Sequence, residues 1–339
     1  DDIMGVCLRK DVDQEIKTIS DICCRLFNSD CVESSKTAIG RRLDFIGYSV
    51  DLDQRLVSVS ERNYLRCIYG FCFVDLDSSV ELKFLERLAS WGSRYSTICE
   101  FLRPLTHVLY DQMIGKKDQY RIFLDQRTKL FIQVLRSVFI MSMLFEKKYT
   151  RSLDSFCKRP SNVIIEFDAS LFGGGCLIYQ RIGNKYKVVG GSQYDITSLG
   201  FRDTDEHRSK YQNVSEFTIA TLALCDVVRK FPNLKSVSFR GDSMSALTWL
   251  KETRFKSDFV LNASMLMMFT LLIHDIKVDE VEFITSAQNW RCDALSRRGT
   301  LQNIKQKDPS FKLTKLWNLP YSDLLDLCSP HNQHTNQTD

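Results

Sequence analysis

Four acidic residues, each placed where a predicted strand or helix begins or ends, constrain the fold of this chain more than any other feature. They are Asp168 in EFDAS, Glu216 in NVSEF, Asp242 in FRGDSMSA and Asp293 in RCDALSR. The hydrophobic period of the segments around them alternates between strand and helix, in the order β-β-β-α-β-α. Such an order predicts a sheet with helices packed on it, and it places the four acids on separate elements of one domain.

The segment 162–298 is therefore predicted to be α/β. VIIEFDAS is a strand whose alternate residues face opposite ways, with Glu166 and Asp168 on the same face. Gly173-Gly174-Gly175 is predicted to be a turn. The other elements follow in order: strands GCLIYQRI and KYKVVGGS, a helix over 214–231, the strand SVSFRGD, a helix over 243–252, a buried helix within 260–273, the strand VDEVEFI and a short helix from Trp290.

The first 160 residues divide into a part with strands and a helical part. Residues 1–60 predict a strand end, an amphipathic helix over 12–27 and two short strands around 51–54. Residues 61–150 have helical periodicity, and Arg159-Pro160-Ser161 is the predicted domain boundary. The run from 119 onwards is basic on its exposed side, through Arg121, Arg127, Lys129, Arg136, Lys147, Lys148 and Arg151. Such a face suits contacts with a duplex backbone, although it is also typical of plain solvated surface.

Composition narrows the class of protein. The net charge of +4 permits nucleic-acid binding without requiring it. The 12 cysteines are scattered, and no pair of CxxC units has the spacing of a zinc site. In so large a chain without a recognisable signal peptide, they predict a reduced intracellular protein of the cytoplasm or nucleus rather than a disulfide scaffold. The most apolar run, 260–273, is shorter than the ~20 residues of a membrane span, so no membrane partner is expected. The chain begins with Asp, which predicts a fragment or a processed piece, and its oligomeric state stays open.

Carboxylates from separate elements are what a magnesium-dependent phosphodiester hydrolase requires. Mg²⁺ prefers oxygen ligands, and two ions roughly 3.5–4 Å apart activate a water and stabilise the leaving oxygen. Three of the acids also have a structural alternative. Glu216 fits a capping box with Asn213 as N-cap, Asp242 fits an N-cap, and Asp293 fits a first-turn acid favoured by the helix dipole. Asp168, which ends an apolar strand, is the hardest to explain in this way.

The segment 162–298 resembles the ribonuclease H domain of retroelement polyproteins, especially DIRS-like (tyrosine-recombinase) and LTR retrotransposons. That family carries a TDAS-type strand, a helix opening near LEL or SEF, a TDN-type strand end and a closing N-x-x-x-D-A-L-S-R. The corresponding strings here are EFDAS, VSEFTIA, RGDSMSA and NWRCDALSR, of which the last is the most specific. The resemblance implies that Asp168, Glu216, Asp242 and Asp293 are catalytic and hold two Mg²⁺ ions.

Two positions depart from the family pattern. The family usually has His-x-Pro-Gly just before the closing motif, where this chain has Phe283-Ile284-Thr285-Ser286. Because that histidine often helps product release or proton transfer, its absence bears on turnover more than on metal binding. Glu166 replaces the usual small polar residue before the first aspartate, and an acid there would either bind metal or disturb the site.

The amino-terminal part is similar to reverse transcriptases. Residues 43–48, LDFIGY, resemble the FLG-type primer-grip hairpin, which implies nucleic-acid contacts at Phe45 and Gly47. Asp1 and Asp2 then resemble the tail of a YxDD motif, which binds magnesium at the polymerase site; the rest of that site is expected to be missing from this fragment. Leu102-Arg103-Pro104-Leu105 resembles the RPL segment found after the thumb of such polymerases.

The two resemblances together imply an α/β protein with an α+β N-terminal part. They predict a palm remnant over 1–60, a helical thumb and connection over 61–160, a ribonuclease H-like mixed five-stranded sheet with flanking helices over 161–298, and a polar tail over 299–339. The implied reaction is hydrolysis of RNA in an RNA–DNA hybrid, with that hybrid or another nucleic-acid duplex as partner. Two alternatives remain open: a catalytically inactive, nucleic-acid-binding scaffold of the same fold, and a plain α/β domain with no nucleic-acid role.

Overall fold

The computed structural model divides the chain into two compact units. The first comprises residues 1–99 and 118–154, and the second comprises 100–117 and 155–339. The described residues are 4, 7, 9–27, 38–99, 102–144, 150–153, 161–171, 173–199, 208–252, 260–317 and 319–328. The predictions for Asp1, Asp2, Lys147, Lys148 and residues 159–160 lie outside the described residues.

Helices and strands occur in both units, and from residue 163 to residue 296 the order of the described elements is the predicted one. The helices are α1 Val12–Leu26, α2 Glu61–Phe73, α3 Leu82–Ile98, α4 Arg103–Met113, α5 Gln126–Leu144, α6 Arg208–Lys230, α7 Met244–Glu252, α8 Leu261–Ile273, α9 Trp290–Ser296, α10 Leu301–Lys307 and α11 Ser322–Cys328. The strands are β1 Arg42–Phe45, β2 Tyr48–Asp51, β3 Leu56–Val59, β4 Val80–Glu81, β5 Arg121–Ile122, β6 Thr150–Ser152, β7 Val163–Ala169, β8 Gly173–Ile182, β9 Lys185–Asp195, β10 Ser236–Gly241 and β11 Lys277–Phe283.

An antiparallel sheet in the order β1-β2-β3-β6 organises the first unit. β1 and β2 form a hairpin in which Phe45 pairs with Tyr48. The turn residues Ile46 and Gly47 have φ of 48° and 87°, a geometry that follows the natural twist of paired strands. The prediction of two strands in this region is wrong in number. Because the turn between β1 and β2 needs only two residues, the segment 42–59 is long enough for three strands, β1, β2 and β3.

Helices α2, α3 and α5 supply aromatic and aliphatic side chains to the core of the first unit. Leu85 and Leu88 on α3 are fully buried. The ring of Phe139 on α5 lies 5.3 Å from that of Phe71 on α2 and 5.0 Å, edge-on, from that of Tyr95 on α3. Such ring pairs contribute about 0.5–1.5 kcal/mol beyond their buried area.

The second unit is built on a mixed sheet of five strands in the order β11-β10-β7-β8-β9. β8 pairs antiparallel with both β7 and β9, whereas β10 pairs in parallel with both β7 and β11. Val163, Ile165 and Phe167 are buried on the face of β7 that meets α6, and α8 packs on α6. This mixed five-stranded sheet with flanking helices is the architecture that the sequence predicts, so the fold class is confirmed.

Gly173, Gly174 and Gly175 are the first residues of β8, so their prediction as a turn is wrong. The physical reason is close packing on both faces of the strand. A methyl group at Gly174 would lie 2.0 Å from Cδ1 of Ile219 on α6. One at Gly175 would lie 2.4 Å from Cβ of Leu295 on α9. The three glycines therefore let helices approach β8 closely on either side.

Residues 301–328 are part of the second unit, which corrects their prediction as a polar tail. Ile304 and Phe311 are buried in a cluster with Leu177, Cys292 and Leu295. Helix α11 adds Leu325 and Cys328 to the main core beneath the sheet. Charged and polar residues separate these apolar residues along the chain, so the composition of the segment is polar on average although some of its side chains are buried.

The segment 311–317, called the strap below, lies against the edge strand β9. The backbone N–H of Trp317 donates to the carbonyl of Gly191 at 2.7 Å. The indole of Trp317 packs directly on Gly190: a methyl group added at Gly190 would lie 2.0 Å from a ring carbon of Trp317. Phe231 packs against the same ring, at 6.2 Å between centroids, and the ammonium group of Lys230 lies 5.8 Å from its centre.

The apolar run within 260–273 forms α8, and its burial is confirmed. Val260 and Ala263 have no exposed surface, and Met268 is also buried. Within the described part of the chain, no helix is both long and apolar enough to cross a lipid bilayer.

Candidate active site

Asp168 and Asp242 lie at the same end of neighbouring strands. Asp168 is near the end of β7, and Asp242 directly follows β10. The two strands pair in parallel, with Glu166 opposite Arg240, so their carboxyl ends lie at the same side of the sheet. Asp168 and Asp242 are both at these carboxyl ends. The two strands are neighbours in the sheet. Asp168 is only 6% exposed, so its carboxylate is held inside the fold.

Glu216 lies inside α6 rather than at its start. The helix begins at Arg208, so the predicted start at Val214 and the capping box with Asn213 are wrong. Its first turns are polar and carry no apolar period, which is why the pattern missed them. Gln212, one turn before Glu216, donates from Nε2 to Oε1 of Glu216 at 3.2 Å and also to the carbonyl of Ala169. Glu216 is thereby tied to the end of β7.

The N-cap of α7 is Ser243 and not Asp242. Ser243 Oγ accepts from the backbone N–H of Ala246 at 3.3 Å and donates to Oδ1 of Asn213 at 3.1 Å. The capping alternative for Asp242 is therefore wrong. Asp242 instead accepts a hydrogen bond from Nδ2 of Asn289 at 2.9 Å.

Asp293 lies in the first turn of α9, where the helix dipole also favours an acid. Its Oδ1 accepts from Nε of Arg297, one turn later, at 2.7 Å. The two side chains are 41% and 70% exposed, so this pair contributes less than about 1 kcal/mol to stability. A partner bound so weakly leaves the carboxylate available for exchange.

The electrostatics of Asp168 join the four acids into one site. Burial raises the pKa of Asp168 from 3.8 to about 7; a hydrogen bond with Ser296 opposes this rise, and the charges of Asp242, Glu216 and Asp293 add to it. Oδ2 of Asp168 is buried and has no hydrogen-bond partner. A buried carboxylate oxygen without a hydrogen-bond partner, on a residue that feels the charges of three further acids, is a place where a cation is favourable.

Glu216 shares this environment. Burial raises its pKa from 4.5 to about 7, hydrogen bonds with Ser243 and Gln212 lower it, and the charge of Asp242 raises it again. Both acids therefore bind protons more tightly than free carboxyl groups do. A divalent cation would compete with those protons.

The donor chemistry of this cluster fits magnesium, because it offers carboxylate oxygens from four elements. The orphaned oxygen of Asp168 supports the same fit. Among the described residues, however, no three His, Cys, Asp or Glu side chains already surround one point as metal ligands do. The acids would therefore have to close in by a change of side-chain torsion to share an ion.

Glu166 has partners of its own on the face of β7 that meets α9. Its Oε1 accepts from the hydroxyl of Tyr179 at 3.2 Å, and the thiol of Cys292 donates to its carbonyl at 3.3 Å. Burial raises its pKa, while Tyr179, Arg291 and Arg240 lower it. These contacts occupy Glu166 without an ion, so they favour a structural role over metal binding.

The segment where the family has its histidine carries no titratable side chain between 283 and 288. Phe283 ends β11 and is 49% exposed. The backbone N–H of Ile284 continues the sheet by donating to the carbonyl of Gly241 at 2.9 Å, and a turn from Thr285 to Gln288 leads into α9. Nothing in this segment can replace a histidine in proton transfer.

The predicted nucleic-acid-binding arginines of the first unit have intramolecular partners. Arg121 lies on the short strand β5 and not on a helix. It donates from Nε to Oγ of Ser79 at 2.9 Å and lies 3.9 Å from Glu81. The guanidinium of Arg127, on α5, lies 6.0 Å from the ring centre of Phe131.

Lys129 and Arg136 are also on α5, with partners at the end of α2 and beyond. Lys129 Nζ lies 3.6 Å from Oδ1 of Asp77. Arg136 donates from Nε to the carbonyl of Phe71 at 3.0 Å and from Nη2 to that of Val74 at 2.8 Å. It therefore caps the carbonyl end of α2, which is a structural task. Among the described basic residues, Arg121 lies on β5 and Arg151 on β6, so these residues do not form the single helix face that the sequence predicts.

The hairpin that resembles a primer grip is held by a neighbouring helix. Asn63 on α2 donates from Nδ2 to the carbonyl of Gly47 at 3.1 Å, and a methyl group at Gly47 would lie 2.2 Å from that nitrogen. Phe45 pairs with Tyr48 at the tip. The contacts predicted for Phe45 and Gly47 with nucleic acid stay a prediction.

Gln212, Asn289 and Ser243 are the polar neighbours of the acids that sequence reasoning missed. Each donates or caps beside one acid through an uncharged group. A signal existed for two of them. Gln212 precedes Glu216 by one helical turn, and Asn289 opens the closing string NWRCDALSR.

Comparison with known proteins adds context. No protein-family model and no curated protein matches this chain. Among solved structures, the N-terminal ribonuclease H domain of a Mycobacterium tuberculosis protein matches with 15% identity and a TM-score of 0.31, over 44% of this chain and 99% of that one. Ribonuclease H1 of Halobacterium salinarum matches with 22% identity and a TM-score of 0.29, over 40% and 95%.

A foamy viral protease–reverse transcriptase in complex with double-stranded DNA is also similar, with 13% identity and a TM-score of 0.29. That match covers 79% of this chain but only 43% of the viral one. At such identities the chemistry of the site rests on this chain's own residues.

Proposed function

We propose that this chain is part of a retroelement reverse transcriptase, of DIRS-like or LTR type, whose second unit hydrolyses RNA in RNA–DNA hybrids. The observation that carries the proposal is the buried Asp168, with an orphaned oxygen and a pKa raised to about 7, beside three further acids. Perturbed acids from separate elements at one sheet end are typical of a functional site. A buried acid with only a structural role would instead be expected to have a cationic partner, or to be replaced by an apolar residue.

Each side chain has a defined task in this proposal. Asp168 and Asp242 would hold or flank both magnesium ions, Glu216 would hold one, and Asp293 would complete the other. Ions in such a site supply an activated water and stabilise the leaving oxygen. Gln212 and Asn289 would orient Glu216 and Asp242, and Asp293 would have to give up its contact with Arg297 to hold an ion.

A gel assay of a labelled RNA–DNA hybrid with Mg²⁺ tests the proposal. Asp168→Asn should lower the cleavage rate on the order of 100-fold or more, because the site then loses several kcal/mol of charge stabilisation. Asp275→Asn, which removes an exposed acid of the same unit paired only with Lys235, should cleave like the wild type. Equal rates for wild type and Asp168→Asn would overturn the hydrolase.

The second candidate is a catalytically inactive scaffold that binds nucleic-acid duplexes. The half-exposed Phe283 at the position of the family histidine favours it. Binding of a hybrid that weakens as salt rises, with no cleavage above the Asp168→Asn background, would support the scaffold. No binding at low salt would leave only a plain α/β domain.

A further inference from the structure

One buried amide joins the two strands that carry Asp168 and Asp242. Asn289 immediately precedes α9 and has no exposed surface. Its Nδ2 donates to the carbonyl of Phe167 at 3.0 Å and to Oδ1 of Asp242 at 2.9 Å. Both partners only accept hydrogen bonds, so the nitrogen and not the oxygen of the amide must face them.

Asn289 lies at the point where the strands separate. The β7–β10 ladder ends with Glu166 opposite Arg240. β10 continues alongside β11 to the pair of Gly241 with Phe283. Beyond the β7–β10 ladder the carbonyl of Phe167 is taken by the amide of Asn289 instead of by β10. The amide therefore occupies the notch between the two strand ends.

Further contacts fix α9, and hence Asn289, along β7. The thiol of Cys292 donates to the carbonyl of Glu166 at 3.3 Å. Ser170 Oγ donates to the carbonyl of Ser296 at 2.7 Å. The helix that Asn289 opens is thus held at both of its ends, so the amide has little freedom to move.

We infer that Asn289 is a positioning residue: it keeps the ends of β7 and β10 apart and holds Asp242 through one oxygen, which leaves the other for a divalent cation. The inference rests on the proposed function and deepens it. Asn289 does not itself supply a charge. Its orphaned Oδ1, buried without a hydrogen-bond partner, shows that the side chain is placed for its nitrogen.

Calorimetric titration of the full chain with Mg²⁺, in the absence of nucleic acid, tests the inference. Asn289→Ala should weaken Mg²⁺ binding about 10–100-fold, the usual effect of removing a group that orients a metal ligand. Asn303→Ala is the matched control. It removes an exposed asparagine that accepts from Thr300 in the capping box of α10, so it should leave Mg²⁺ affinity unchanged.

The titration also separates this role from a merely structural one. A lower melting temperature with wild-type Mg²⁺ affinity in Asn289→Ala would overturn the inference, as would a wild type that binds no Mg²⁺. If Asn289→Ala does not fold, Asn289→Ser replaces it. Hybrid cleavage is measured separately: a wild type that binds Mg²⁺ without cleaving overturns the proposed function, and the affinity comparison still decides the role of Asn289.

Discussion

Asp168 and Glu216 make the stability of the second unit depend on pH. Their pKa values of about 7 in the folded chain lie above the ordinary 3.8 and 4.5, mainly because both are buried. Between about pH 4 and pH 7 the folded state therefore holds protons that the unfolded chain has released. Stability contributed by this protonation is complete below pH 4, falls as pH rises, and is lost above pH 7.

The expected result is a larger free energy of unfolding at pH 5 than at pH 8, measured with urea in the presence of a chelator. Asp168→Asn should remove on the order of 2 kcal/mol of this difference, because it abolishes one of the raised pKa values. Asp275→Asn, at an exposed position, should keep the wild-type profile. A pH dependence that Asp168→Asn leaves unchanged would contradict the assignment.

The same acids show how far sequence reasoning reaches at the scale of the residue. The strand context of Asp168 and the closing string around Asp293 were readable, because both are local patterns. The surroundings of Glu216 and Asp242 could not be predicted in this way. Whether either acid caps a helix depends on its neighbours Gln212 and Ser243, and the contacts of those two residues follow from how α6, β7 and α7 pack together.

At the scale of the element, β8 shows a limit of local patterns. Three consecutive glycines are typical of turns, yet here they are strand residues that let α6 and α9 approach. Sequence alone cannot show that a missing side chain is needed for a neighbour. The alternation of VIIEFDAS, in contrast, predicted β7, because successive side chains of a strand point to opposite faces and Val163, Ile165 and Phe167 all fall on the face that meets α6.

Gly175→Ala tests this packing. Its methyl group would lie 2.8 Å from the carbonyl oxygen of Cys292 as well as near Leu295, so α9 would have to move and carry Asp293 with it. We expect a loss of about 1–3 kcal/mol in the free energy of unfolding, together with weaker Mg²⁺ binding. Gly40→Ala is the control, since its methyl group would meet chiefly the flexible side chain of Leu43. If Gly175→Ala were as stable as the wild type, α9 would not pack on β8 as closely as described.

Arg136 tests the interpretation of the basic helix α5. Because its guanidinium binds two carbonyls at the end of α2, Arg136→Ala should lower the free energy of unfolding by about 1–3 kcal/mol. It should not change the salt dependence of duplex binding. A decrease of about one in the slope of log affinity against log salt would instead identify a phosphate contact. Arg62→Ala, exposed on α2, is the control for general charge effects.

At the scale of the whole molecule, the described residues that follow Gly299, 300–317 and 319–328, belong to the fold of the second unit. Truncation after Gly299 would expose Leu177 and Leu295 and would remove Leu325 from the core. The truncated chain should therefore be poorly soluble or unfold at a lower temperature, as measured by circular dichroism, because one buried leucine alone accounts for about 2–5 kcal/mol. A truncated chain as stable as the full one would contradict this account.

The strap also matters for the edge strands of the sheet, β11 and β9. An unpaired edge strand can pair with a strand of another molecule and start aggregation. On β11 this is opposed by charge, since Lys277, Asp279, Glu280 and Glu282 lie along it. On β9, the backbone N–H of Trp317 occupies the carbonyl of Gly191. Displacement of the strap would free that carbonyl to pair with a strand of another molecule, so the strap also protects the chain against self-association.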